Sequence, residues 1–299
     1  MIGTVYEEVA APAFLRGVVR CVWRSAPEGA KRIVPDGCVD LVVGGGHAFV
    51  AGPDTGAWSS VTEPGVVLSG VRFAPGRAAA VLGVAADELR DWRVPLDELW
   101  GRRSAERLVE GAWSPVSAVA ARVAEPPPVD PAVAELIARL EAGVARVGEA
   151  TRTMFTQPDM ARAGVRPAEL AARAAELAAS PPELTAAQAE DPPPSTAVSD
   201  RQLRRRFTQA VGYGPATYLR ISRFQRAVAL APRLSGLAAL AAAAGYADQA
   251  HLSRECRALT GLTPRLFFPD SPLWTSQPVI DSVRRNPHGQ PEVAVHPKR

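Results

Sequence analysis

Residues 199–212 read Ser-Asp-Arg-Gln-Leu-Arg-Arg-Arg-Phe-Thr-Gln-Ala-Val-Gly. Ser199 is a helix N-cap residue type, and Gly212 is the type that ends a helix in left-handed backbone. Between them Leu203 and Phe207 stand four apart and form a stripe to be buried. Arg201, Arg204 and Arg205 share a different face, at i, i+3 and i+4. A second stretch repeats the plan. Leu237–Ala244 reads as a short apolar helix and Gly245-Tyr246 as a turn. Asp248 then caps a helix from Gln249 to Leu259 that stops at Gly261. Leu252, Cys256 and Leu259 face inward, while Gln249, Ala250, Ser253, Arg254 and Arg257 face out. One longer helix, from Pro215 to about Leu230, joins the two units.

A helix, a tight glycine turn and a polar-faced helix make helix-turn-helix geometry. Arg forks can pair with guanine O6 and N7, Gln and Arg can reach base edges, and a small Ala can touch a thymine methyl. A single such helix could equally present a solvated basic face; two units on one connecting helix are far more specific. Charge points the same way. Residues 199–268 hold 11 Arg, no Lys and three acids, a net +8, while the rest of the 299-residue chain sums to −5. A basic domain joined to an acidic one predicts that one end binds a polyanion.

Residues 199–268 resemble the DNA-binding domain of the AraC/XylS family of bacterial transcription regulators. The resemblance is carried by Leu203, Phe207, Gly212, Pro215, Tyr218 and Arg223, then by the run Gly245-Tyr246-Ala247-Asp248-Gln249-Ala250-His251-Leu252-Ser253-Arg254. It closes on Thr260-Gly261-Leu262-Thr263-Pro264. It implies two helix-turn-helix units on a rigid central helix, with recognition helices in successive major grooves of double-stranded promoter DNA. By position, Arg201, Arg204 and Arg205 become base-reading candidates in the first unit, and Gln249, Ala250 and Arg254 in the second; Ser253 and Arg257 share the outer face. Two departures stand out. Cys256 occupies an inward position that is usually aromatic, and is read as core. A Pro-rich stretch, 191–198, stands where a scanning helix belongs. One register makes 130–143 the first helix of the domain and starts the scanning helix at Val147, with about 40 residues inserted before Ala197. The other places both helices within 167–190.

Ahead of this lies a different pattern. Ile33-Val34, 39–43, 49–51 and 66–73 are short β-branched or apolar runs, separated by Gly44-Gly45-Gly46, Gly52-Pro53-Asp54 and Glu63-Pro64-Gly65. They predict a small sandwich or barrel, followed by a short helix over 75–82 and helical turns from Asp87 to about Leu108. Pro126-Pro127-Pro128 marks a break. Asp130-Pro131 starts a helix whose Val133, Leu136, Ile137, Leu140 and Val144 face one way, for packing within the domain or for a dimer. The fold class is therefore α+β: a β-rich sensor or dimerisation domain over 1–125, the AraC-type domain over 129–269, and a disordered tail over 270–299. The segments 34–41 and 70–76 resemble β-barrel sensor domains found ahead of such DNA-binding domains. Asp36, Asp40 and Arg72 are the effector-binding candidates; the plainer reading is a turn at 35–37 and a local hydrogen bond from Asp40.

Other chemistry is poorly served. The four His and three Cys show no HxH, CxxC or HExxH spacing, so no metal and no cofactor are expected. GxSxG, P-loop and Rossmann patterns are absent from the sequence, and an enzyme is not expected. Sparse cysteines and an acidic start predict a cytoplasmic protein, and the longest apolar run is far short of a membrane span. RNA polymerase, a small-molecule effector and a homodimer stay open as partners. Two other functions stay open with them: a small-molecule-binding or enzymatic barrel protein with a degenerate DNA-binding domain, and a protein-interaction adaptor.

Overall fold

The computed structural model describes residues 5–26, 29–123, 130–144, 146–156, 199–234 and 236–268. The expected break at 126–128, the alternative helices at 167–190 and the tail at 270–299 lie outside the described residues.

The first half is built on eight strands: β1 (Val5–Ala10), β2 (Val19–Ala26), β3 (Gly29–Ile33), β4 (Asp40–Gly44), β5 (His47–Ala51), β6 (Trp58–Thr62), β7 (Leu68–Phe73) and β8 (Arg93–Pro95). Six form one antiparallel sheet in the order β1-β2-β7-β4-β5-β8, and β3 pairs with β6 in a two-stranded ribbon. The register puts Val22, Val71, Leu41, Val50 and Val94 in one row across the sheet. That row is apolar because this face meets the helices α1 (Ala78–Leu82), α2 (Leu96–Trp100), α3 (Arg102–Val109) and α4 (Pro115–Arg122), which add Val81, Leu82, Trp100, Leu108 and Val119 to one core. One residue along, the register reads Cys21, Arg72, Asp40, Ala51 and Arg93 on the opposite face, as the period of two requires. The ribbon crosses this second face. Lys31 of β3 sits over the Tyr6 ring at 4.2 Å, and the Arg93 guanidinium lies 3.9 Å from the centre of the Trp58 ring. Two stacked sheets thus answer the sandwich expectation. Four elements differ from it: β1, β2 and β6 lie outside the runs read as strands, and β8 falls where helical turns were expected.

The second half is helical: α5 (Pro131–Glu141), α6 (Val147–Thr156), α7 (Asp200–Val211), α8 (Pro215–Leu230), α9 (Leu237–Ala244), α10 (Gln249–Thr260) and α11 (Pro264–Phe267). Asp130 caps α5 by accepting from the Ala132 and Val133 N–H groups, and Pro131 follows at the first helical position. The apolar face of α5 is spent inside the domain: Val133, Leu136, Ile137 and Leu140 join Leu203, Phe207, Tyr218, Ile221, Phe224 and Cys256 in one core. Val34, from the first half of the chain, belongs to that same core. A smaller cluster of Ala227, Leu240, Ala241, Ala244, Tyr246 and Leu252 holds α9 and α10 to α8.

Candidate nucleic-acid interface

Both candidate recognition helices are 12 residues long and closed at both ends. In α7, the Ser199 hydroxyl accepts from the Gln202 N–H at 3.2 Å, and the Gln202 side-chain oxygen accepts from the Ser199 N–H at 3.1 Å. This reciprocal capping box satisfies two otherwise orphaned donors. In α10, the Asp248 carboxylate accepts from the His251 N–H at 2.6 Å. Each helix ends on a left-handed glycine, Gly212 and Gly261.

The caps fix how each helix is rolled. In α7, Leu203, Phe207 and Val211 are buried, while Arg201, Arg204 and Arg205 are exposed. Arg204 pairs with Asp200 one turn earlier, at 2.9 Å. Arg206 points elsewhere, to Asp130 at 2.5 Å, and fastens α7 to the start of α5. In α10, Leu252, Cys256 and Leu259 are buried; Gln249, Ala250, Arg254 and Arg257 are exposed. Ser253 is partly buried, and its hydroxyl donates to the Gln249 carbonyl at 2.8 Å. Burial pushes the Cys256 thiol up to about 11; its sulfur sits 3.5 Å from the Leu262 carbonyl. A neutral, buried thiol is core, not a redox site.

The remaining arginines of this half sort themselves by partner. Arg220 pairs with Glu255 at 2.5 Å and ties α8 to α10. Arg226 donates to the Glu141 carbonyl at 3.0 Å, and Arg223 lies 5.5 Å from the Tyr246 ring centre. These charges hold helices together, whereas those of Arg201, Arg205, Arg254 and Arg257 face outward. In the first unit, α6 packs on α5 and α8 through the fully buried Ala150, and α5 packs on α7. Helices cover 131–141 and 147–156; residues 157–198, on which the two registers differ, lie outside the described residues.

Asp36, Asp40 and Arg72 come together on the ribbon-facing side of the sheet. Arg72 binds Asp40 with both prongs, at 3.1 and 3.0 Å. It reaches Asp36 at 3.2 Å and also Glu8 at 3.2 Å. Burial works against the Arg72 charge, but Asp40 and Asp36 outweigh it and hold the guanidinium protonated. Asp36 also accepts from the Cys38 N–H at 3.0 Å, the turn-forming role of the plainer reading. Glu8 went unread in the sequence because it stands beside Glu7 in a stretch not read as a strand, where acids look like surface. Among the described residues, no group of three His, Cys, Asp or Glu could hold a metal ion, and no helix is long and apolar enough to cross a membrane. An open crevice of about 490 Å³ lies elsewhere, between α1 and α7, lined in part by Ala79, Val84, Asp130, Arg206 and Gln209.

Residues 195–268 match the helix-turn-helix domain family, and residues 7–95 match a domain family of unknown function (DUF6597). No curated protein matches the chain. The crystal structure of an apo ToxT variant from Vibrio cholerae strain SCE256 aligns over 90% of this chain and 97% of that one, at 8% identity and a TM-score of 0.32. That superposition is too loose to carry an argument. The C-terminal fold and its family match define a helix-turn-helix domain over residues 195–268. More narrowly, residues 195–268 form a helix-turn-helix domain of the AraC/XylS type.

Proposed function

We propose that the protein binds promoter DNA with both α7 and α10, and that a small charged effector acting on the first half modulates that binding. One observation carries the DNA reading. Two helices of equal length, each fixed by a polar N-cap and a glycine C-cap, bury one stripe and expose residues able to read bases. In the first unit these are Arg201, Arg204 and Arg205; in the second, Gln249, Ala250, Ser253, Arg254 and Arg257. Binding needs no second copy of the chain, because two recognition helices already lie on one polypeptide.

The effector reading is supported by placement. The Asp36–Arg72–Asp40 network anchors the loop 34–38, whose Val34 enters the helical core. A charged ligand that competes for Arg72 or for its carboxylates would loosen that loop. The reading keeps the domain limits as 1–125 and 129–269, with an insertion or a lengthened turn within 151–198 in the first unit.

The test is a selection of genomic DNA fragments by the purified full chain at low and moderate salt. The expected result is one enriched two-block motif that survives the higher salt. Uniform binding that vanishes with salt would reduce the basic face to an electrostatic footprint. With the motif in hand, Arg254→Ala is expected to cost about 1–3 kcal/mol and to relax preference at one position. An equal loss on every sequence would assign Arg254 to the phosphate backbone.

A further inference from the structure

The two recognition helices share one more feature, and it comes from outside their own domain. Each ends against an arginine of the first half. Arg32 of β3 donates to the Thr260 carbonyl, the last residue of α10, at 2.6 Å. Arg90, in the turn before β8, donates to the Gly212 carbonyl, the C-cap of α7, at 3.4 Å. A cation at a helix C-terminus meets both the unsatisfied carbonyl and the negative end of the helix dipole. The sites are built closely around these contacts. At Gly212 an added Cβ would fall 2.2 Å from Pro53 and 3.0 Å from the Ala86 carbonyl, both in the first half. At Gly261 it would fall 3.3 Å from the Arg32 guanidinium. Between the two ends, Gln225 of α8 donates to the Pro35 carbonyl at 2.6 Å. The first half therefore grips α7, α8 and α10 at three points.

We infer that Arg32 and Arg90 are positioning residues for DNA recognition: by holding the far ends of α10 and α7 to one rigid sheet domain, they set the spacing at which the two helices meet DNA. Neither residue touches bases. Both act through the helix each holds, so their loss changes the tolerated separation of two half-contacts more than it changes the contacts themselves. The inference rests on the two-helix DNA reading. It also names where a change in the first half would be felt, because any shift of β3 or of the turn at Arg90 is passed directly to a recognition helix.

The test uses the full chain and its Arg32→Ala/Arg90→Ala double variant. Affinity is measured for the selected site and for versions with one base pair added or removed between the two blocks. The wild type is expected to lose affinity sharply on either change. The double variant should shrink that loss by roughly fivefold, the size expected from one helix-end contact at each site. Arg32→Lys/Arg90→Lys, which keeps donors and charge, should restore much of it. An unchanged spacing penalty in a folded double variant overturns the inference. A DNA-free measurement separates it from the DNA reading: spin labels on Cys introduced at Arg205 and Ala258 report the distance between α7 and α10. The three native cysteines are buried, which directs labelling to the introduced pair. A single narrow distance in wild type that broadens in the double variant supports the latches, and equal widths refute them. If the wild type selects only a one-block site, the DNA reading of α7 fails and the label distances alone decide the latches.

Discussion

The helices α7 and α10 have the same length, the same kind of caps and the same division into a buried stripe and a basic face, yet they are supported differently. The partner of α10 in its own unit, α9, stands immediately before it, and the two pack with α8 in a compact cluster of Ala, Leu and Tyr. The chain reaches α7 only after residues 157–198, and α7 rests on α5, on α1 and on the turn 86–88 of the first half. A helix-turn-helix can thus be held by local sequence or by distant surfaces. The second kind of support couples the flank of the helix to another domain, whereas the first leaves α10 coupled mainly at its C-terminal end, where Arg32 holds Thr260.

Core truncation should break this comparison most strongly. Phe207 is fully buried in the core that both halves share, so Phe207→Ala should cost about 3–5 kcal/mol and lower the cooperativity of the whole helical half. Leu252→Ala, in the smaller cluster, should cost about 2–4 kcal/mol and loosen the second unit locally. Chemical denaturation with hydrogen exchange on α10 distinguishes the two. Equal, global losses would mean that the two helices are not separately supported.

The glycine caps sharpen the comparison at lower cost. Gly212 has φ +100° and faces Pro53, whereas Gly261 has φ +73° and meets only the guanidinium of Arg32, at 3.3 Å. Gly212→Ala should cost about 2–4 kcal/mol, from strain and from the backbone it would strike, and Gly261→Ala about 1 kcal/mol. Thermal melts check the order. A reversed order would deny that α7 is seated on the first half.

The smallest effect is a pH dependence carried by Cys256 of α10. The Cys256 thiol is pushed up to about 11 by burial, above its value of about 8.5 in an unfolded chain. A raised thiol contributes stability that is fully present below about pH 8.5 and is lost as pH rises toward 11. Denaturation across that window should show a steeper fall for wild type than for Cys256→Ala. Parallel slopes would place the thiol in contact with solvent.

How much of this was legible beforehand follows the range of the interactions. The caps, the stripes and the exposed arginines of α7 and α10 depend on residues within four positions of one another, and they could be read directly. So could β4, β5 and β7, whose rows of Val and Leu announce a buried face. The strand β6 could not: its Trp58-Ser59-Ser60-Val61-Thr62 pairs only with β3 in a half-exposed ribbon, so selection for apolar residues is weak. The strand β8 is three residues long and is held by Arg93, which pairs with Asp54 at 2.8 Å. The effector candidates were found as residues but not as a network, because Glu8 lies 64 positions from Arg72. The contacts of Arg32 and Arg90 leave no trace at all in sequence. Their acceptors are backbone carbonyls 228 and 122 positions away, and every residue type carries one.

Val34 has a consequence for anyone who would transplant this protein. Its side chain fills part of the helical core, and Gly37 backs so closely onto the Tyr218 ring that an added Cβ would fall 3.0 Å from it. A hybrid regulator made by cutting near 124–129 and joining residues 130–268 to a foreign sensor would carry an open hollow where that loop belongs. The DNA-reading half is not a cassette. It exchanges successfully only together with the loop 34–38, or with a replacement partner that supplies a β-branched plug of the same size.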